Sequence, residues 1–542
     1  MYDVILIHPP SIYDFREKMT FPGPFAYTVR ESTNQLIIPP IGMFSIADYL
    51  ERSGCKVLID NLGARMVYDK AFDVKKHLRR SEAEIYAVGL HWIAHAQGSI
   101  EIARICKELH PNSIVLLGGL TATIFHSEII KKFYFIDAVI RGEAEESILN
   151  LINIFDENRR IKPVPNLTFK DESGRVIVSN SKKSNLDINH FEFTRLDLIE
   201  PKAPFFNKDM PPNFCIPICR GCIYNCASCG GSLYSYKKYL KRDKPSFRNP
   251  DKIVEDLEKL HEQGVKMVFL FQDPRMGGKN YYEELIRKIR TANISLLHLS
   301  MELFEPLNEE YTRSLSQIGI PLTLTISPET GAESVRIAHG RNYTNTELFK
   351  TIKICQKYRE KIDLIVFFMF ALAYENLDTI NDTLKLWEKI CVTNRDSKNI
   401  NYAFGPMILL DPGSLAFDYP ETYGYKLIFK DLEEYIRGMQ MPSWHQWISY
   451  ETKFLQRTKI ADLIIRLIEK SINLREKYGI YDRIQAFKER LSYVFTNRLI
   501  MQKVDQAMHL NEFERQQKLK ALKETIDRNM RKIECQPEPN AT

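Results

Sequence analysis

Two runs of alternating strand and helix signals constrain this chain more than any other feature. Short apolar strands are expected at residues 4–7, 56–59, 86–90, 114–117 and 136–140, with helical stretches such as 41–52 between them. A second series follows at 214–218, 265–271, 294–301, 322–326, 364–371 and 402–410. Strands that alternate with helices pair in parallel, so the first run implies a doubly wound α/β sheet and the second an open or partial parallel barrel. Such sheets place ligands at the carboxyl ends of their strands, which directs attention to the loops that follow each one.

At 542 residues the chain has room for three or four domains. Residues 151–205 break the alternation, with Pro163 and Pro165 ahead of a hairpin around Asp171-Glu172-Ser173-Gly174, and are expected to be a linker. After residue 415 helical signals dominate, with Ile460, Leu463, Ile464, Leu467 and Ile468 on one face. The helix expected after residue 249 is fully punctuated, with Asn249 as N-cap, Pro250 in the first turn and Gly264 as terminator. A net charge of +6 is small for this length and argues against a dedicated nucleic-acid binder. The seven Lys/Arg between Arg515 and Lys532 are expected to form a solvated helix face. The longest strongly apolar run, 364–372, is too short to cross a bilayer, and the start of the chain lacks the features of a signal peptide. A cytoplasmic protein without a transmembrane segment is expected.

Five of the ten cysteines, Cys215, Cys219, Cys222, Cys226 and Cys229, fall within fifteen residues. Cys222, Cys226 and Cys229 have the spacing C-x3-C-x2-C, and thiolates are the soft ligands that suit iron–sulfur clusters and zinc. Three of them on one loop can hold three corners of a [4Fe–4S] cube, which leaves one iron without a protein ligand. Cys215, Cys219 and Cys222 repeat the same spacing, so spacing alone does not choose the register. Position favours the later set: Cys215 lies in an apolar strand, whereas 222–229 is flanked by Gly221, Gly230 and Gly231, whose backbones can approach a cluster closely. Cys219 is expected to be a packed thiol. A zinc site built from four of the five cysteines and a closed four-cysteine electron carrier are the alternatives.

A three-cysteine loop directly after the first strand of a six-strand parallel series resembles the radical S-adenosylmethionine (radical SAM) superfamily over roughly residues 210–415. The resemblance implies a [4Fe–4S] cluster on Cys222, Cys226 and Cys229, with S-adenosylmethionine chelated at the open iron and cleaved by one electron to a 5′-deoxyadenosyl radical. It further implies ligand contacts from Tyr224, Gly230 and Gly231. Gln272 and Asp273 stand where many members carry a Gly-Gly-Glu-type segment, and Ser327 and Glu329 end the fourth barrel strand. For Glu329, ligand contact and helix N-terminal charge stabilisation both remain open. Ser228 departs from the pattern, since an aromatic residue often precedes the last cysteine.

A doubly wound sheet ahead of such a barrel is similar to the class whose first domain binds cobalamin. The fold implied is therefore α/β: a Rossmann-like cobalamin-binding domain over 1–150, the linker with its hairpin over 151–205, a partial (β/α)6 radical SAM barrel over 206–415 and a C-terminal helical domain over 416–542. Candidate corrin contacts are His8 and Pro9 after the first strand, His91 and Trp92 after the third, Gly118 and Gly119 after the fourth, and Gly142 and Glu143 after the fifth. Gly118-Gly119 also suits a plain strand-to-helix turn. His95-Ala96-Gln97-Gly98 has the H-x-x-G spacing of a cobalamin-ligating motif but sits in the wrong loop, and is expected to open a helix. The function implied is methyl transfer to an unactivated carbon of a small-molecule or lipid-like substrate, with ferredoxin or flavodoxin as electron donor. Carbon-skeleton rearrangement, cyclisation, or a non-enzymatic iron–sulfur or corrinoid carrier are the alternatives. Trp444, Trp447 and Tyr450 are expected to pack in the core or to line the substrate entrance.

Overall fold

The computed structural model describes residues 1–23, 38–154, 161–202, 205, 213–292 and 294–534. The first sheet has the order β7-β6-β5-β4-β3-β1-β2-β8. Its parallel centre is β1 (Tyr2–His8), β2 (Val57–Asn61), β3 (Ala83–Gly89), β4 (Ile114–Gly118) and β5 (Ala138–Ile140). The chain leaves β1 in one direction to β2 and in the other to β3, so the strand order reverses between β1 and β3. That is where open α/β sheets bind ligands.

The segment expected as a linker is instead part of this sheet. The hairpin forms, as β6 (Leu167–Lys170) and β7 (Val176–Val178), but β6 pairs antiparallel with β5. A short strand β8 (Ile199–Glu200) pairs with β2 at the opposite edge. Both edges of the parallel core are thereby covered, which satisfies backbone groups that open edges would leave exposed. Loop-like proline signals masked this role.

The second sheet runs β16-β15-β14-β13-β12-β9, parallel throughout and in sequence order, as in a partial barrel. Its strands are β9 (Asn213–Pro217), β12 (Met267–Phe271), β13 (His298–Leu303), β14 (Leu322–Glu329), β15 (Ile362–Phe370) and β16 (Ile400–Pro406). Between β9 and β12, β10 (Cys219–Arg220) and β11 (Ser246–Phe247) form a small antiparallel pair. The helix Pro250–Glu262 starts and stops as its punctuation predicts: Asn249 accepts a hydrogen bond from the Asp251 amide, and Gly264 turns the chain with φ of +86°. Along β12 to β15 one set of alternate residues is buried under the helices and the other is half-exposed toward the barrel interior.

The C-terminal part carries a small antiparallel pair, Tyr425–Leu427 with Tyr450–Thr452, and then the helices Arg457–Lys477, Thr496–Met508 and Glu512–Glu534. Trp444, Trp447 and Tyr450 are fully buried; Trp447 donates to the Met441 carbonyl and Tyr450 to those of Ala371 and Met407. They pack the core, which decides between the two roles expected for them. No helix among the described residues is long and apolar enough to cross a membrane.

Candidate functional site

The cysteine loop leaves the carboxyl end of β9 through Cys219, whose thiol donates to Gln272 Oε1 at 2.9 Å while its amide donates to the same oxygen at 3.2 Å. Gln272 Nε2 then donates to the Gly221 carbonyl at 2.7 Å. Cys219 is thus tied into the base of the loop as a packed thiol, and Cys215 lies within β9. Beyond Gly221 the chain turns on itself. The Tyr224 amide points at Cys222 Sγ (3.4 Å) and the Gly231 amide at Cys229 Sγ (3.3 Å). The loop is clamped from the barrel rim: the Ala227 amide donates to the His339 carbonyl, and Gly340 (φ +86°) lies so close that a Cβ there would meet the Asn225 carbonyl at 2.6 Å. The Gly230 amide donates to Asp411 at 3.2 Å.

Burial pushes all three thiols, Cys222, Cys226 and Cys229, above the ordinary cysteine value. At Cys222 the Tyr224 amide and Arg341 pull back, and at Cys226 Arg341 does so alone among the larger influences. Arg341 was not singled out as a ligand contact from sequence. Its guanidinium donates to Glu329 Oε1 at 3.4 Å and stacks over Phe304 at 5.4 Å, and the Glu329 carboxylate favours its charged form against the cost of its burial. Glu329 sits at φ +65° beyond a register shift in β14, with only 5% of its surface exposed, and its second carboxylate oxygen has no hydrogen-bond partner. A buried carboxylate oxygen without a donor is costly. This strained, half-satisfied group beside Arg341 and near Cys226 fits a ligand that brings a donor, such as an amino or hydroxyl group.

Other expected contacts are used by the protein itself. Asp273 accepts from the Arg275 amide and guanidinium and from the Phe304 amide, so its carboxylate secures the turn after β12. Gln272 braces Cys219 and Gly221 as described, and the Tyr224 hydroxyl donates to Glu305 at 2.9 Å. Ser327 stands on β14 two residues before Glu329, half-exposed on the interior side. Among the described residues no three His, Cys, Asp or Glu side chains converge around one point.

At the first sheet the loops after β1, β3, β4 and β5 share one edge. His8 and His95 lie with ring centroids 5.0 Å apart, Trp92 and His95 at 5.8 Å, and His91 and Trp92 at 5.2 Å. This aromatic group stands at the point where the strand order reverses. Burial holds His91 neutral, with its pKa lowered to about 4. Trp92 keeps 38% of its surface open. Gly119 has φ +111°, and a Cβ there would lie 2.7 Å from the His91 backbone; it lets the loops after β3 and β4 close on each other. Gly118 precedes it at the end of β4, and Pro9 follows the buried His8. His95 ends a turn that opens the helix Ala96–Leu109, as expected, and Gly98 is needed because a Cβ would overlap the Pro10 carbonyl. Gly142 (φ +70°) donates its amide to Thr123, whereas the Glu143 carboxylate is taken by Arg242 and the Ser184 amide.

Residues 216–386 match the Radical SAM superfamily and residues 29–152 match the B12 binding domain family. The chain carries a radical SAM domain and a B12-binding domain. Its cofactors are accordingly a [4Fe–4S] cluster, S-adenosylmethionine and cobalamin. An uncharacterised methyltransferase of Pyrococcus horikoshii is 21% identical over 383 residues, 70% of this chain and 78% of that protein. The anaerobic magnesium-protoporphyrin IX monomethyl ester cyclase of Rubrivivax gelatinosus is 26% identical over 271 residues, 46% of this chain and 45% of the cyclase. Among solved structures, the radical S-adenosylmethionine methyltransferase TsrM from Kitasatospora setae, with tryptophan and a SAM analogue bound, has a TM-score of 0.60 at 14% identity, covering 93% of this chain and all of that one. The shared feature is the fold.

Proposed function

We propose that this radical SAM protein is a cobalamin-dependent methyltransferase acting on an unactivated carbon of a small-molecule or lipid-like substrate, with a one-electron donor of the ferredoxin or flavodoxin kind. The observation that carries the reading is the placement of Cys222, Cys226 and Cys229 on one clamped loop beside Arg341, which pairs with the half-satisfied Glu329. A [4Fe–4S] cluster held there would supply the electron for reductive cleavage of S-adenosylmethionine, and a bound corrin would carry the methyl group. Cys222, Cys226 and Cys229 hold the cluster. Glu329 accepts from the amino or ribose hydroxyl groups of the ligand, and Arg341 faces its carboxylate. The amides of Gly230 and Gly231 approach closely because neither residue has a Cβ. In the first domain His8, His91, Trp92 and the backbone at Gly118 and Gly119 form the floor on which the corrin rests. The names of the Pyrococcus relative and of TsrM support methyl transfer, and that of the Rubrivivax cyclase supports cyclisation as the second reading.

The test is anaerobic reconstitution with iron, sulfide and hydroxocobalamin. Dithionite-reduced protein given S-adenosylmethionine is expected to release 5′-deoxyadenosine, and S-adenosylhomocysteine when methyl groups are passed to the corrin. A carrier protein would release neither, and a cyclase would release only the first.

A further inference from the structure

The stretch after β5 is joined by two ion pairs to the other domain, one from the cysteine loop and one from the turn beyond the helix Leu233–Tyr239 that packs against that loop. Arg220, between Cys219 and Cys222, donates to Glu145 Oε1 at 2.6 Å and passes 3.9 Å from Glu143. Arg242, which packs against Gly221, donates to Glu143 Oε1 through Nε at 2.9 Å and Nη2 at 2.6 Å. The Arg242 and Glu143 side chains are 3% and 4% exposed, and Glu145 is equally buried. Ser45 donates to Glu145 at 2.8 Å, the Ser184 amide donates to Glu143, and Phe191 lies under the Arg220 guanidinium at 5.2 Å.

Gly142, one residue before Glu143, lies in the set of loops that ends the first sheet; Cys222 is two residues beyond Arg220. Through Arg220 the link therefore runs from one proposed cofactor platform to the other within two or three residues on each side, and Arg242 reinforces it by packing against Gly221. A buried ion pair is a poor source of net stability but a strongly directional one, because any register that separates the partners leaves charges buried alone. Among the described residues Lys132 of the first domain also contacts Glu433 at 2.7 Å and Asp431 at 3.7 Å in the C-terminal part, but these groups are exposed, so screening makes the contacts weak.

We propose that Arg220–Glu145 and Arg242–Glu143 are positioning pairs that fix the corrin-binding edge of the first domain against the cysteine loop, and so set the separation of the two cofactors. The inference rests on the cofactor placement given under Proposed function. Charges at this seam do not touch substrate. Their effect is geometric: a methyl group and a substrate radical held in one cavity react only when aligned.

The experiment uses the full chain reconstituted with both cofactors, reduced so that the cluster and cob(II)alamin are each paramagnetic, and reads their separation by pulsed electron paramagnetic resonance. The parent protein is expected to give one narrow distance distribution. The double variants Arg242→Met/Glu143→Leu and Arg220→Met/Glu145→Leu, which leave no lone buried charge, are expected to bind both cofactors and still release 5′-deoxyadenosine, with the distribution at least twice as broad. Lys132→Met is expected to leave it unchanged. Glu145→Gln keeps an acceptor for Arg220, is expected to give an intermediate width, and decides the matter where a double variant does not accumulate folded. Unchanged narrow distributions in the variants with both cofactors bound would overturn the positioning role alone. A parent protein that binds neither cluster nor corrin would overturn the cofactor placement and this inference with it.

Discussion

The cysteine loop takes its three proposed donors from eight consecutive residues, Cys222 to Cys229, whereas the carboxyl edge of the first sheet assembles His8, His91, Trp92, Gly119 and Gly142 from four separate strand ends. In the first region chemistry is concentrated in side chains on a short segment. In the second it is distributed, and backbone approach matters more than any one side chain. The difference teaches where each is fragile: a local donor set fails with one atom, and a distributed surface fails when two loops can no longer meet.

Cys226→Ala gives the largest expected effect, complete loss of the cluster absorbance and of 5′-deoxyadenosine release, with both retained in Cys215→Ala. If Cys215→Ala were the inactive variant, the donor set would be the earlier register. Next is Gly98→Ala, whose added methyl would overlap the Pro10 carbonyl. It is expected to cost about 3 kcal/mol of stability in denaturant unfolding and to weaken cobalamin retention, because the loop after β1 must move. A cluster lost together with the corrin in that variant would show that the two regions are not separable.

Glu375 tests the barrel rim behind Glu329. Burial raises its pKa to about 7, opposed by the Leu372 amide and Thr330. A folded-state value above the unfolded one means that its contribution is complete below pH 4.5 and is lost as pH rises through 7. Glu375→Gln is therefore expected to flatten the fall in stability across that window, by on the order of 1–3 kcal/mol, as measured by unfolding at a series of pH values. Glu329→Gln is expected to weaken S-adenosylmethionine binding about tenfold in isothermal titration while the cluster is kept, in line with one charge-assisted hydrogen bond. The smallest effect belongs to Trp92→Ala, about a fivefold loss of cobalamin affinity, since one aromatic face contributes about 1 kcal/mol. An effect of Trp92→Ala as large as that of Gly98→Ala would break the contrast between concentrated and distributed sites.

Legibility in the sequence follows the same line. The helix Pro250–Glu262 was readable because Asn249, Pro250 and Gly264 act within a few residues of themselves. The order of both strand series was readable for the same reason. Glu329 was visible as a strand-end acid, but its positive φ and unpartnered oxygen were not, since both depend on how β14 shifts against β15. Gln272 and Asp273 were noticed for their position after β12, yet their side chains brace the Cys219 turn and the Phe304 amide, partners remote in sequence. The edge role of β6 and β8 was hidden because a strand that completes a distant sheet needs no long apolar run.

What the sequence by itself determined is the chemistry that short-range spacing can encode: three thiols on a glycine-flanked loop, the strand-and-helix alternation, and the helix caps. The tertiary structure alone decided which charged groups became partners, joining Arg220 to Glu145 across 75 residues and Arg242 to Glu143 across 99. The physical reason is range. Backbone geometry and ligand spacing act over a few residues, while burying a charge is settled only when the folded chain brings its counter-charge to the same dry place.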